Sequence, residues 1–308
     1  MNLTFSLFRL LLFPGLLFAV PAAWTILWIE RKAVARMQQR MGPPFGQPFF
    51  DFIKLIGKET PTPRGAEGWL MRAWPVIATA AAAGSVGLLP VLPGAGGFEG
   101  DLILLIALLE VPPICLIAAG FTTRSIFGEI GAVREAVLTV AYNLVFLLGL
   151  LSIAAAQHTF RLDALAQSPL TLTRFLGLIA ILICLPAKLH VNPFSLPNAE
   201  QEIYSGPMTE YGGVELALWQ LSHGLEWVAS CGLVATLATP LIVSPAMSVL
   251  AFIALLFVLV MLLTVSAAAT ARLAIDATVR FYWRCTLALA GLLLVIAISS
   301  AMVMKVWS

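Results

Sequence analysis

The sequence predicts an all-α polytopic membrane protein, on the evidence of its composition and of its long apolar runs. Of its 308 residues, 60% are hydrophobic and 11% are charged, and the mean hydropathy is +0.96. Water-soluble domains carry roughly 25% charged residues, so we expect this chain to fold in lipid. Its net charge of +2 is too small to indicate nucleic-acid binding.

Eight apolar runs approach or exceed the length of about 20 residues that crosses a bilayer. We therefore expect about eight transmembrane helices in a single membrane domain over residues 1–308. The fifth run is the weakest, because Pro186, Lys188 and His190 crowd its end, so seven spans remain an alternative. The runs fall near residues 5–29, 73–93, 102–121, 136–156, 174–191, 214–240, 247–271 and 284–304.

The positive charges predict the orientation, because cytoplasmic loops hold most of the Lys and Arg residues of a membrane protein. Four of these residues fall on one side, at Arg9, Arg161, Arg174 and Lys305. We expect both termini on that outer side, in the cytoplasmic (inner) membrane of a bacterium or archaeon. The other fourteen, on the expected cytoplasmic side, are Arg31, Lys32, Arg36, Arg40, Lys54, Lys58, Arg64, Arg72, Arg124, Arg134, Lys188, Arg272, Arg280 and Arg284.

The first cytoplasmic loop, residues 30–72, is long enough to hold structure of its own. Apolar residues recur in it at helical spacing, and polar residues mark the opposite face, which predicts a short amphipathic helix lying in the membrane interface. Anchoring to lipid alone is the simpler interpretation of such a helix. The apolar face holds Phe49, Phe52, Ile53 and Ile56, and the polar face holds Asp51, Lys54 and Lys58.

The chain shows no sign of a cofactor or of a complete active site. Its four cysteines, at 115, 184, 231 and 285, stand far apart without a C-x-x-C pair, which argues against a zinc or iron–sulfur site. It contains no phosphate-binding loop, dinucleotide fingerprint or metalloprotease motif. We therefore expect no catalytic residue, metal or cofactor in this chain itself.

Glu110 is a candidate for ion coupling, because ionisable residues at membrane depth are costly and usually functional. It lies midway along the third run, just before Pro112 and Pro113, and is the most isolated acid of the sequence. A proline pair frees backbone carbonyls and can admit water. A protonated glutamate, or one hydrogen-bonded to a neighbouring helix, is the alternative.

The sixth run carries a polar stripe. Glu215, Trp219, Ser222 or His223, and Glu226 recur at spacings of three or four and so share one helix face. At ~1.5 Å per residue, this stripe extends over roughly 16 Å. It predicts a proton path from the cytoplasmic loop toward the bilayer centre, or else a stripe that only pairs helices.

Two further loops concentrate charge. The loop of residues 189–214 holds Glu200, Glu202 and Glu210, whose mutual repulsion suits groups that load and release protons, although a solvated acidic loop explains them equally. Before the fourth run, Arg134 is placed to neutralise Glu129 or Glu135, or only to mark the cytoplasmic end.

The first loop resembles the signature of the H-type membrane component of complex I, which abuts the peripheral arm. The string is ERKAVARMQQRMGPPFGQPFFDFIKLIGKE, from Glu30 to Glu59. With the later loops, the resemblance covers essentially the whole chain. The matching residues are Glu30, Arg31, Lys32, Arg36, Gln38, Arg40, Gly42, Pro43, Asp51, Lys54, Leu55, Lys58 and Glu59.

Three later strings resemble the branch found in energy-converting nickel–iron hydrogenases and formate hydrogenlyases. They are GAVREA from Gly131, AEQEIYSGPMTEY from Ala199, and ARLAIDATVRFYW from Ala271, which includes Arg272 and Asp276. The chain departs from the family at Ser195 and Asn198, where acids are common. Proton routes that need those two acids are therefore in doubt.

The resemblance implies a non-catalytic subunit of a multisubunit energy-converting hydrogenase. Such a subunit anchors the hydrogenase large and small subunits and an iron–sulfur ferredoxin-like subunit, which hold the nickel–iron centre and the clusters. It also links electron transfer to proton or sodium translocation through antiporter-like membrane subunits. The coupling residues so implied are Glu110, Glu129, Arg134, Glu135, Glu200, Glu202, Glu210, Glu215 and Glu226.

The resemblance further implies a docking surface for the peripheral arm. The main alternative is the quinone-chamber subunit of respiratory complex I, in which Arg31, Arg40 and the loop carboxylates border a quinone. An independent ion transporter is a third alternative, which the lack of internal repeats disfavours. The docking residues are Glu30, Arg31, Lys32, Arg36, Gln38, Arg40, Asp51, Lys54, Lys58, Arg272 and Asp276.

Overall fold

A computed structural model of the chain describes residues 11–63, 65–92, 97–197, 200–239 and 244–307, without the side chains of 200, 201, 285 and 299–307. Within these ranges every regular element is helical. A 3₁₀ turn spans Gly206–Met208, and a π-helical segment, Phe281–Thr286, joins α11 to α12. The α-helices are α1 (Leu16–Met37), α2 (Gln47–Ile56), α3 (Gly68–Gly87), α4 (Asp101–Thr122), α5 (Ile126–Gln157), α6 (Leu162–Gln167), α7 (Leu172–Lys188), α8 (Glu200–Ile203), α9 (Gly213–Ala238), α10 (Pro245–Ala269), α11 (Ile275–Arg280) and α12 (Leu287–Trp307).

Four stretches of the described chain are both long and apolar enough to cross a membrane. They are α4, α5, α10 and the continuous helical segment Ile275–Ile298. Together with the all-helical architecture, they indicate a membrane-embedded protein. The helices α1, α3, α7 and α9 have 17 to 26 residues, and the total of eight spans stays a prediction.

Two helices extend beyond the predicted apolar runs. Helix α1 continues through Glu30, Arg31 and Lys32 to Met37, and α5 begins at Ile126, ten residues before the predicted start at 136. Charged residues end an apolar run without ending a helix, which needs only its backbone hydrogen bonds. Glu129 in the first turn of α5 even favours the helix through its dipole. The strings interpreted as loop beginnings are therefore helical.

The predicted amphipathic helix is present as α2. Its Phe49 and Phe52 rings lie 5.0 and 5.5 Å from the ring of Trp24 on α1. Arg31 on α1 forms an ion pair with Asp51 at 3.3 Å, so aromatic contacts and charge together hold α2 against α1. The position of α2 in a membrane interface stays a prediction.

Helix α9 is the centre of the bundle. It packs against α1, α2, α3, α4, α7 and α10, and from Gly224 to Leu237 every residue is buried. The side chain of Trp227 is among the largest that are fully buried. Helices at the centre of a bundle are usually apolar on all sides. Because α9 is surrounded by other helices, its polar stripe is enclosed by protein.

Small residues allow the closest helix crossings. At the crossing of α4 and α5, a Cβ atom on Gly120 would lie 2.5 Å from the carbonyl oxygen of Gly128 and 2.8 Å from Cβ of Ala132. At the crossing of α5 and α7, Gly149 faces Gly177 in the same way. Membrane helices without a strong hydrophobic driving force pack through such contacts.

A buried arginine holds together the end of the bundle at which α7 begins and α9 ends. The guanidinium of Arg174, near the beginning of α7, donates a hydrogen bond to the carbonyl of Leu237 at 2.7 Å and to both oxygens of Ser168. One carbonyl in the last turn of α9, that of Leu237, is thereby satisfied. The contacts hold the ends of α6, α7 and α9 together.

We predict that Gly120→Ala destabilises the protein by about 1–3 kcal/mol, because the added methyl group would collide with the backbone of α5. Gly291→Ala on α12 is the matched control, since a Cβ there meets nothing within 4 Å. Thermal denaturation of the detergent-purified protein measures both. Equal melting temperatures for the two variants would contradict the packing described.

Candidate functional site

A proline in α4 creates an acceptor inside the membrane domain. Pro113 has no backbone N–H, so the carbonyl of Leu109, four residues earlier, lacks its helical partner. The ammonium of Lys188, the last residue of α7, donates a hydrogen bond to this carbonyl at 3.1 Å. The proline pair thus frees a carbonyl as the sequence predicts, but a lysine occupies it.

Lys188 also neutralises Glu110. Its Nζ lies 2.8 Å from Oε1 of Glu110, and the side-chain amide of Asn143 on α5 donates to Oε2 at 2.6 Å. Glu110 is therefore not isolated, and the structure agrees with the alternative of a glutamate that is hydrogen-bonded to neighbouring helices. Its partner was missed because Lys188 is 78 residues away in sequence and counts, by charge alone, as a cytoplasmic loop residue.

Aromatic faces complete the surroundings of Lys188. Its ammonium lies 5.6 Å from the ring centre of Tyr142 and 5.2 Å from that of Phe146, within the range of cation–π attraction. The side chain is 1% exposed. A charge at this depth persists only with such a set of partners.

A second buried pair joins α5 to the turn that follows α7. Nε2 of His190 lies 2.9 Å from Oε2 of Glu135 on α5, and the hydroxyl of Thr139 donates to Oε1 of that carboxylate at 3.2 Å. Glu135 is completely buried. The partner of Glu135 is thus His190 rather than Arg134, although in sequence His190 is only one of the cations near the acidic loop.

The end of α7 places the His190 imidazole. The N–H of His190 bonds to the carbonyl of Ala187, and the N–H of Val191 bonds to that of Pro186 at 2.7 Å. These bonds form a Schellman motif, whose residue after the cap takes a left-handed backbone and is usually glycine. Here it is His190, with φ of 53°, at a cost of about 1–3 kcal/mol.

The polar stripe of α9 reaches these groups from the other side. The ring of His223 lies parallel to that of His190, 6.0 Å between centres, and its Nε2 accepts a hydrogen bond from the indole of Trp227 at 3.2 Å. The hydroxyl of Ser222 contacts the Glu226 carboxylate at 3.4 Å. The predicted stripe therefore faces protein groups that carry charge.

Two ion pairs lie farther along the site. Arg134 binds Glu202 at 2.5 Å, which joins α5 to the 189–214 loop, and Arg72 lies 3.6 Å from Glu215 at the beginning of α9. Arg134 thus pairs with neither Glu129 nor Glu135.

The phenol of Tyr211 lies beside Glu215. Burial and then the neighbouring carboxylate raise the pKa of this phenol, so its hydroxyl keeps its proton at neutral pH.

The other predicted coupling residues lie outside this buried group. Glu129 is exposed and Glu210 is half-buried. The side chain of Glu200 and the whole of Asn198 lie outside the described residues. Ser195 is half-buried, and neighbouring Phe194 packs against the rings of Phe281 and Tyr282.

The predicted docking residues divide into two groups. Lys32 donates hydrogen bonds to the carbonyls of Met41 and Pro43 and so closes the turn after α1, while Arg31 and Asp51 pair with each other. Glu30 and Arg272 are half-buried. The residues free to meet a partner are the exposed Arg36, Gln38, Arg40, Lys54, Lys58 and Asp276.

The NADH dehydrogenase family matches residues 10–298 of the chain. The H-type subunit of the NADH-quinone oxidoreductase from Methylococcus capsulatus is 27% identical over 230 residues, which is 71% of this chain and 72% of that protein. A chain of the membrane-bound sulfane sulfur reductase, an archaeal respiratory membrane complex, is 26% identical. That alignment covers 95% of this chain and 99% of the other, with a TM-score of 0.85.

The family match spans nearly the whole sequence, and both relatives are similar over most of their own length. Both relatives are components of multisubunit respiratory complexes. The chain therefore belongs to the NADH dehydrogenase family. It is a membrane subunit of a respiratory complex, and the subunit is similar to the H-type subunit of complex I.

Proposed function

We propose that this chain anchors the peripheral arm of an energy-converting nickel–iron hydrogenase and couples its electron transfer to proton or sodium translocation. The observation that carries the proposal is the set of ionisable side chains on α4, α5 and α9 and at the end of α7, named here the central network. It comprises Glu110, Glu135, Lys188, His190, His223 and Glu226.

The geometry of the central network suits electrostatic coupling. Glu226 is within electrostatic range of His190, Lys188 and Glu135, and Tyr142 within that of Glu110 and Glu135. Charges interact more strongly at low dielectric than in water. A charge that changes at one end of the network therefore alters the proton affinity of the next group.

The ion pair of Arg134 with Glu202 connects the network to the expected cytoplasmic side. Arg134, which holds Glu202, is the neighbour in sequence of Glu135, whose carboxylate meets His190. A redox-driven movement of the 189–214 loop would move Glu202 against Arg134 and so disturb α5 at Glu135. The exposed Arg36, Arg40, Lys54 and Lys58 offer a basic surface for a peripheral subunit.

The nature of the peripheral arm rests on the three loop strings that resemble the hydrogenase branch. A quinone-chamber role is the second candidate, which the similarity to an NADH-quinone oxidoreductase subunit favours. Similarity to a chain of a sulfane sulfur reductase as well indicates that membrane subunits of this kind serve peripheral arms of different chemistry.

Purification of the intact complex from its native membrane distinguishes these candidates. The hydrogenase proposal predicts co-purifying nickel and iron, with hydrogen evolution that is insensitive to inhibitors of quinone sites. Quinone reduction by a preparation that lacks nickel would overturn it in favour of the second candidate.

We predict that Glu202→Gln and Glu210→Gln abolish ion translocation coupled to hydrogen evolution in membrane vesicles. The Arg134–Glu202 pair is half-exposed, and such pairs contribute about 0–1 kcal/mol, so the complex should still assemble. Glu99→Gln, at an exposed acid in the loop before α4, is the control and should translocate normally. Unchanged translocation by the two loop variants at normal assembly would contradict the assignment of Glu202 and Glu210 as coupling residues.

We predict that Glu110→Gln lowers both assembly and translocation, because it leaves the Lys188 charge buried without its counter-ion, at about 3–5 kcal/mol. In the double variant with Lys188→Met no buried charge remains unpaired and only the carbonyl of Leu109 loses its partner, so assembly should recover in part while translocation stays absent. Assembly is measured by the yield of intact complex. A double variant that translocates normally would show that the pair is only structural.

A further inference from the structure

A small cavity lies between α4, α9 and the end of α7, inside the central network. Its polar lining consists of His190, His223, Trp219 and Glu226, and Pro112 and Pro113 line it from α4. The free space accommodates about one water molecule. The cavity therefore lies where the stripe of α9 meets the buried pair of His190 and Glu135.

Two of the described residues that line this cavity carry polar atoms without a hydrogen bond from protein. Among the described residues, neither nitrogen of the His190 ring nor the indole N–H of Trp219 forms a hydrogen bond, and all three atoms are buried. The side chain of His190 is 6% exposed, and Trp219 is 3% exposed. Buried polar groups without protein partners are commonly bridged by an ordered water, which makes two to four hydrogen bonds.

His190 can join the cavity to Glu135 because an imidazole has two nitrogens. Nε2 lies 2.9 Å from Oε2 of the Glu135 carboxylate, at ion-pair distance, whereas Nδ1 has neither a hydrogen bond nor an ion pair among the described residues. A proton accepted at one nitrogen can be matched by release of the proton from the other, without rotation of the ring.

His223 is less suited to carry the proton. Its Nε2 already accepts the hydrogen bond of Trp227, and protonation of that nitrogen would break this bond. A second imidazolium 6.0 Å from His190 would also be repelled. We therefore assign His223 a positioning role, with its ring against that of His190.

We propose that the cavity binds one water molecule and that His190 relays a proton between this water and Glu135, so that Glu226 and Glu135 form one proton path. In the inward step, Glu226 gives its proton to the water and the water gives one to Nδ1 of His190. Nε2 of His190 gives its proton to Glu135. One carboxyl is ionised and the other protonated, and no electron is transferred.

Other titratable groups face this path and influence the proton affinity of its members. Lys188 and Glu110 lie on the α7 and α4 side, Tyr142 lies on α5, and Cys115 lies on α4 near Glu226. Arg31 of α1 acts on His223. The relay deepens the coupling role proposed above and depends on it, whereas the water site stands by itself.

An experimental high-resolution structure of the intact complex tests the water site. We expect density for one water within about 2.7–3.2 Å of Nδ1 of His190, and also in contact with Glu226 or the indole of Trp219. A cavity closed by side chains, or one without density at a resolution that shows other buried waters, would overturn the proposal.

Proton uptake by vesicles that contain the intact complex tests the relay. His190→Gln retains a hydrogen-bonding group but cannot relay a proton, so uptake should fall at least about tenfold at normal assembly. His190→Gly, which suits the left-handed backbone, should fold and fail equally. His158→Gln is the control, because His158 is exposed and has the same backbone conformation, and it should behave as the parent.

The pH profile separates a relay from a structural role. Parent uptake should change near neutral pH with an imidazole ionisation, and this step should vanish in His190→Gln. Uptake and profile equal to the parent would overturn the relay. If the parent takes up sodium ions but no protons, the relay fails; if it takes up neither ion, the coupling role fails as well. In both cases the water density decides the water site independently.

Discussion

The structure depends on the contact of Lys188 with the carbonyl of Leu109 and the carboxylate of Glu110. Pro113 frees that carbonyl, and the last turn of α7 brings the lysine to it. Without the ammonium, a carbonyl and a carboxylate would be buried in apolar surroundings, which is costly. Without Glu110, the ammonium of Lys188 would be buried there without a counter-ion. The contact therefore fixes α4 against α7 and places His190, two residues later, beside Glu135.

The rest of the central network follows from that placement. His190 meets Glu135 on one side and the stripe of α9 on the other. The central network holds three basic side chains and three carboxyls, so small movements can redistribute its protons. A network of this kind serves coupling better than rigid anchoring, because each buried group depends on the charge of its neighbours.

The sequence alone allowed the helical membrane fold, the amphipathic helix and the enclosed stripe of α9 to be predicted, because these depend on periodicity and composition. The partners of the acids were not predictable. Lys188 is paired with an acid 78 residues away, and no local pattern indicates such a contact. The freed carbonyl at Leu109 was the one available signal, since an acceptor in lipid requires a donor. Helix bounds at Met37 and Ile126 were missed because a charge ends an apolar run but not a helix.

Coupling through the central network requires that a redox change in the peripheral arm alters the protonation of the buried carboxyls. Redox-induced infrared difference spectroscopy on the intact complex observes this directly, because a protonated carboxyl has its own carbonyl band. We expect a carboxyl band that appears or disappears on reduction and that Glu135→Gln or Glu226→Gln removes. Reduction without any change in a carboxyl band would contradict the coupling role.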